Sequence, residues 1–257
     1  MSVALTLRSY EFWLTQYRRA WRGTVVSSVI NPVFYLSALG VGLGTLVNRA
    51  HTTPGGVTYL AFVAPGVLAA PAMQVAAVES TWPVLGSIKW TRSYYAMLAS
   101  PLGIPDIVLG HQLWMTTRVV SSSAVYLAVI AMFGGIHSWY GVLALPACLL
   151  VGFAFCGPLA AYAATRENDA AFVPVLRFAI VPMFLFSGTF FPVSRLAAPL
   201  RAVAYATPLW HGVDLCRSLT LGTVRLPLAL VHVGYLVAWG IVGLVLAMRT
   251  YRNRLLN

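Results

Sequence analysis

Lysine occurs once in this chain, at Lys89, and that scarcity removes one familiar way of holding ATP. A P-loop places a Gly-rich turn before a Lys that reaches the phosphates, in the pattern G-x-x-x-x-G-K-[ST]. Lys89 follows Val84-Leu85-Gly86-Ser87-Ile88 and does not fit. Carboxylates are scarce too: Glu11, Glu79, Asp106, Glu167, Asp169 and Asp214 are all there are, and none lies inside an apolar run. Ion-coupled carriers and cation channels place such groups in mid-membrane, so both classes are disfavoured. Cys148, Cys156 and Cys216 lack metal-ligand spacing and read as small core residues. His51, His111, His137, His211 and His232 show no ligand spacing either, and no H-E-x-x-H occurs. There is no tandem repeat, low-complexity tract or linker.

What the chain has is apolar length. It is 59% hydrophobic and only 9% charged, with a mean hydropathy of +0.79. Soluble domains run near a quarter charged, so the solvent for most of this chain is lipid. A helix needs about 20 apolar residues to cross the hydrocarbon. Six segments qualify: 24–47, 57–78, 107–133, 139–165, 170–191 and 226–248. The expected fold is an all-α membrane protein of six transmembrane helices, forming one domain over 1–257. The cations before the first run, and its length, argue against a cleavable signal peptide.

The net charge is +11, and the cations cluster at the ends of apolar runs. That pattern speaks for topology and lipid headgroups rather than nucleic acid. With both termini in the cytoplasm, ten Lys/Arg fall in inside segments and five outside; Arg118 and Arg177 complete the seventeen. The positive-inside rule therefore favours this orientation.

Three segments outside the spans carry pattern. Residues 10–22 interleave aromatics with Arg, and Phe12, Trp13, Tyr17 and Trp21 share one side of a helix suited to the membrane interface, with Arg18 and Arg22 beside them. Within 79–106, Pro101 ends any helix started near Gly86, which predicts an exposed cytoplasmic helix of about three turns. Residues 187–225 hold Pro192, Pro199 and Pro208 between apolar pieces too short to span, as in re-entrant or interfacial helices.

Arg118 and Arg177 are the costly residues of the spans. Fifteen residues separate Arg118 from Phe133, roughly 22 Å of helix, which puts it about 8 Å inside the cytoplasmic edge of a ~30 Å core. Two readings stay open: snorkelling to headgroups, or facing a cavity that holds an anionic substrate headgroup. Pro32, Pro174 and Pro182 mark flexing points or merely tolerated prolines. His211 and Asp214 lie three apart and can share a helix face, either as an acid–base pair or as a structural hydrogen bond.

The residues also carry a resemblance. Tyr95-Ala96-Met97-Leu98-Ala99-Ser100-Pro101-Leu102, continuing through Pro105-Asp106-Ile107-Val108-Leu109-Gly110, resembles the cytoplasmic loop of type-2 ABC exporter permeases. Phe191-Pro192-Val193-Ser194, Pro208-Leu209-Trp210-His211-Gly212-Val213-Asp214-Leu215-Cys216-Arg217 and Leu221-Gly222 resemble the segment before the last span in nodulation-factor (lipo-oligosaccharide) export and anthracycline-efflux permeases. His111 stands where the nodulation relatives are expected to have an acidic residue.

The resemblance implies a half-transporter of the bacterial cytoplasmic membrane, with no cofactor of its own. A second permease copy or a paralogue pairs with it, and two separate ABC ATP-binding subunits carry Mg-ATP. The implied coupling helix docks through Lys89, Arg92, Tyr94, Tyr95, Met97 and Leu98. The interfacial helix contributes Trp13, Tyr17, Arg18, Trp21 and Arg22 to the docking surface. Arg118 and Arg177 border the substrate path, and Pro208, Trp210, His211 and Asp214 belong to an outer gate. The implied cargo is a glycolipid, a lipid-linked saccharide or a hydrophobic drug, and the membrane lipids are neighbours. A multidrug efflux permease, a lipid-modifying membrane enzyme built on His211 and Asp214, and an anchoring protein without transport are the competing readings.

Overall fold

Small side chains in the second apolar run decide what sits at the centre. Ala61, Ala64, Ala69, Ala70, Ala72, Ala76 and Ala77 are all buried. Such residues let helix backbones approach closely where no hydrophobic driving force separates protein from lipid. In the computed structural model, which describes residues 3–49 and 56–256 (without the side chains of 20, 23–28 and 41), these alanines lie on α3 (Tyr59–Lys89). His51 lies outside the described residues.

All regular structure among the described residues is helical. Six helical stretches are long and apolar enough to cross a membrane: Val29–Arg49, Tyr59–Lys89, Ile104–Met132, Trp139–Ala164, Asp169–Phe186 and Leu226–Leu256. They correspond in order to the six expected runs. α3 packs against α5 (Ile104–Met132), α6 (Ala144–Ala164) and α10 (Pro208–Leu221), while α6 packs along α11 (Leu226–Leu256). The α6–α11 seam needs glycine: a Cβ on Gly157 would lie 2.5 Å from the Gly243 carbonyl carbon.

The fifth span is the least covered by the rest of the chain, followed by the sixth and then the first. The first and the fifth span widen into π-helix, over Leu36–Leu43 and over Leu176–Ile180. The latter stretch lies between α7 (Phe172–Val175) and α8 (Val181–Phe186), and Pro174 and Pro182 flank it. Proline alone does not force this, since α3 holds Pro65, Pro71 and Pro83 and stays α-helical within its packed surroundings.

Three local expectations change. The N-terminal aromatic stretch is no separate helix: α1 runs unbroken over Val3–Tyr35 and packs along α5. Its approach is close, because a Cβ on Gly110 would meet the Ser9 Cβ at 2.5 Å. The second span does not stop before Glu79 but reaches Lys89, because Glu79 is paired within the protein and does not end the helix. The cytoplasmic helix shrinks from about three turns to α4 (Ser93–Leu98), six residues. The N–H groups of Trp90 and Thr91 both donate to Gly86 O, closing α3, and Arg92 then turns left-handed at φ 52°.

After the fifth span come two short helices, α9 (Ala198–Tyr205) and α10. Fourteen residues give α10 about 21 Å, short of a ~30 Å core. It is capped by Thr207 at its start and by left-handed Gly222 at its end. His137 N–H donates to Thr220 O, which ties α10 to the loop before Trp139.

Candidate functional site

Three segments that the charge distribution places inside meet at one end of the bundle. Glu167, in the loop after α6, bonds both to Lys89 at the end of α3 and, at 2.5 Å, to Arg254 near the end of α11. Hydrogen bonds from Lys89 and then Arg254 hold the Glu167 carboxyl below the usual range. A cavity of about 500 Å³ opens beside this cluster, lined by Ile88, Lys89, Arg92, Tyr95 and Arg254.

The six expected docking residues divide. Tyr94 and Met97 are buried and face the bundle, whereas Lys89, Arg92 and Tyr95 are exposed and Leu98 is half-buried. A contact with a partner therefore cannot run through Tyr94 and Met97 in this conformation, because the turn of α4 points them inward. Trp90, which sequence reasoning passed over, is 61% exposed beside them. Tyr94 instead ties helices together. Its hydroxyl lies 2.5 Å from His111 Nδ1 on α5 and 3.3 Å from the Tyr251 hydroxyl on α11. Trp13 of α1 stacks on the His111 ring, 3.8 Å between centroids at 6°. Burial, with Tyr251 close by, pushes the Tyr94 phenol well up, so it stays neutral.

The aromatic face of α1 is used inside the protein. Trp13 is buried, and Tyr17 lies 5.3 Å from Trp114 of α5. Arg18, Trp21 and Arg22 remain exposed.

Arg118 is neither snorkelling nor free. Its Nε donates to Glu79 Oε1 at 3.0 Å, one Nη donates to the Tyr17 hydroxyl at 2.9 Å, and its guanidinium sits 4.3 Å from the Tyr17 ring centroid. The pair borders a cleft of about 430 Å³ whose walls include Trp13, Tyr17, Trp82, Trp90 and Trp114. Arg118 thus meets a polar, aromatic-lined cleft with its charge already balanced. Arg177 lies elsewhere, on the uncovered side of the fifth span beside Phe178. The two arginines share no site in one chain.

On the opposite end, Pro208 opens α10 and Trp210 packs on Tyr205. The expected His211–Asp214 pair does not form. Asp214 Oδ2 instead bonds His232 Nε2 at 3.1 Å, and His232 Nδ1 lies 2.8 Å from His211 Nδ1. His232, which sequence reasoning noted only as a residue of the last span, is the middle member that joins α10 to α11. Burial, then His232, lowers His211 to about 4. Burial pushes Asp214 up, but the His232 hydrogen bond and charge outweigh it and leave the carboxyl below its ordinary value. Among the described residues no group of three or more His, Cys, Asp or Glu could hold a metal ion.

Six helices long and apolar enough to cross a membrane define a polytopic membrane protein. Comparison with known proteins gives its class. Residues 4–221 match the ABC-2 type transporter family. The chain is 34% identical to nodulation protein J of Rhizobium leguminosarum bv. viciae over 95% of both chains. It is 31% identical to nodulation protein J of Rhizobium meliloti (strain 1021), over 95% of this chain and 94% of that one. It is 22% identical to the inner membrane transport permease YadH of Escherichia coli (strain K12), over 88% of this chain and 90% of that one. The chain belongs to the ABC-2 type transporter family and is a multi-pass membrane transport permease.

Proposed function

We propose that this permease is half of an ATP-driven exporter that moves an amphiphile across the bacterial cytoplasmic membrane by alternating access. The observation that carries the reading is α4: a short, surface-lying helix that exposes Arg92 and Tyr95 while its Tyr94 is plugged into α5 and α11. A push on such an element reaches the spans. A separate ABC ATP-binding subunit, carrying Mg-ATP and present twice, docks on this surface. A second permease copy or a paralogue covers the first and fifth spans, where Tyr35 meets Phe184 and Phe178 is 81% exposed. Arg177 would then line the space between the two permeases.

An amphiphilic cargo (a glycolipid, a lipid-linked saccharide or a hydrophobic drug) is supported by the aromatic cleft at the Glu79–Arg118 pair. Such clefts offer apolar walls and a few polar groups to an amphiphile. The relatives' names point to nodulation and to transport. α10, most of whose residues are buried by protein as broken backbone at membrane depth requires, acts as the re-entrant part of the outer gate, with the largely exposed α9 beside it. The lipid-enzyme reading is weakened because His211, His232 and Asp214 satisfy one another.

The test is a pull-down of the tagged permease in mild detergent, with ATPase activity read on the eluate. A P-loop subunit should co-purify with the wild type and be lost with Tyr95→Glu or Leu98→Glu. A pure permease, free of any ATPase partner, would overturn the reading.

A further inference from the structure

Charge at the inner end of the bundle is unbalanced in one place. Lys89, Arg92 and Arg254 line the same cavity of about 500 Å³, and Glu167 is the one carboxylate bonded there, to Lys89 and Arg254. The Arg92 side chain has no hydrogen bond or ion pair among the described residues, and its backbone sits at a left-handed hinge between α3 and α4. The cavity therefore offers two uncompensated positive charges. Arg254 and Glu167 come from segments that the expected docking surface left out.

Helix length places this cavity relative to the bilayer. α3 and α11 each run for 31 residues, about 46 Å. A bilayer with its headgroup regions is about 40–45 Å thick. The far end of α3 is fixed at the opposite side, where the Tyr59 hydroxyl donates to Phe190 O. Lys89 and Arg254, near the inner ends of these helices, therefore reach the aqueous edge of the headgroup zone. That position suits a protein partner better than a lipid phosphate. The exposed residues around the cavity, Arg92, Tyr95 and Trp90, are of the types that dominate protein–protein contacts.

We propose that Lys89, Arg92 and Arg254 form a cationic socket for an acidic segment of the ATP-binding subunit, and that Glu167 is its built-in occupant. This rests on the exporter reading and adds the partner's chemistry. Before docking, Glu167 keeps Lys89 and Arg254 extended toward each other. On docking, a partner carboxylate takes Arg92 and competes with Glu167 for the other two cations. Electrostatic pairing of this kind sets partner choice and is weakened by salt.

The experiment measures the affinity of the purified permease, in lipid nanodiscs, for its co-expressed cognate ATP-binding subunit at low and high NaCl. Arg92→Glu should weaken binding by about tenfold or more, and Glu167→Gln should tighten it. Wild-type affinity should fall with salt. An Asp/Glu→Lys change on the partner should rescue Arg92→Glu. Unchanged thermal unfolding of each variant shows that folding is intact, and the milder Arg92→Gln serves if Arg92→Glu misfolds. Binding indifferent to Arg92 and to salt would overturn the socket while leaving the exporter reading in place. Loss of phosphatidylglycerol-vesicle binding with undiminished subunit affinity would assign the cations to lipid and overturn it too. A wild type that binds no ATP-binding subunit would overturn both.

Discussion

The hydroxyl of Tyr94 lies 2.5 Å from His111 Nδ1, so the one tyrosine of α4 that faces inward is held by the third span. The neighbouring Tyr95 points outward. Adjacent residues on this small helix thus face opposite ways, one outward and one into the bundle.

Tyr94→Phe keeps the ring and removes the hydroxyl. His111 Nε2 already lacks a hydrogen-bond partner, and the change would strip Nδ1 of its own. A buried polar group left unpaired costs about 1–3 kcal/mol. The variant should unfold at lower temperature, bind the ATP-binding subunit as before, and transport less per ATP hydrolysed. Equal stability and equal coupling would show that the bond carries nothing.

Arg118→Gln should destabilise strongly, because it leaves Glu79 without its partner; breaking such buried pairs costs about 3–5 kcal/mol. The double variant Glu79→Gln/Arg118→Gln should recover most of that loss, since residues in contact couple. Thermal unfolding of the three variants decides. A double variant as unstable as Arg118→Gln alone would mean that Arg118 acts through something other than Glu79.

The His211–His232–Asp214 chain sets a pH dependence. His211 titrates at about 4, below its ordinary value near 6.5, so between these the unfolded chain binds the extra proton. Stability therefore falls as pH drops from about 6.5 toward 4. The lowered Asp214 acts the same way at still lower pH, because its contribution is lost as pH falls through its folded pKa. Unfolding temperatures measured across pH 4–8 should show this slope, and His211→Gln should flatten its upper part. A slope untouched by His211→Gln would place the effect elsewhere.

Gly157→Ala should loosen the α6–α11 seam, since its Cβ would fall 2.5 Å from the Gly243 carbonyl carbon; overpacking of this kind costs about 1–3 kcal/mol. Gly234→Ala, with nothing within 4 Å of its added Cβ, should be neutral or slightly stabilising. Paired unfolding measurements would check the contrast.

How much was legible in the sequence follows from the range of each signal. Apolar runs are local, so all six spans were found. The Lys/Arg distribution put Lys89 and Arg254 on the same side, and the two meet at Glu167. Pairings across the chain were not legible. Glu79 looked like the end of a span because its partner, Arg118, lies 39 positions away. Asp214 looked paired with His211 because helix spacing shows only near neighbours, while His232 is 18 positions on. Tyr94 and Met97 looked like surface because their burial depends on how α4 turns at Arg92.

The most direct measurement of the central claim is ATP-dependent transbilayer movement of a fluorescent glycolipid in proteoliposomes holding the permease and its ATP-binding subunit. The account predicts movement that needs both subunits and ATP and that falls when Tyr95 or Leu98 is changed to Glu. Movement without the ATP-binding subunit, or ATP hydrolysis by the assembled complex that moves no amphiphile, would contradict it.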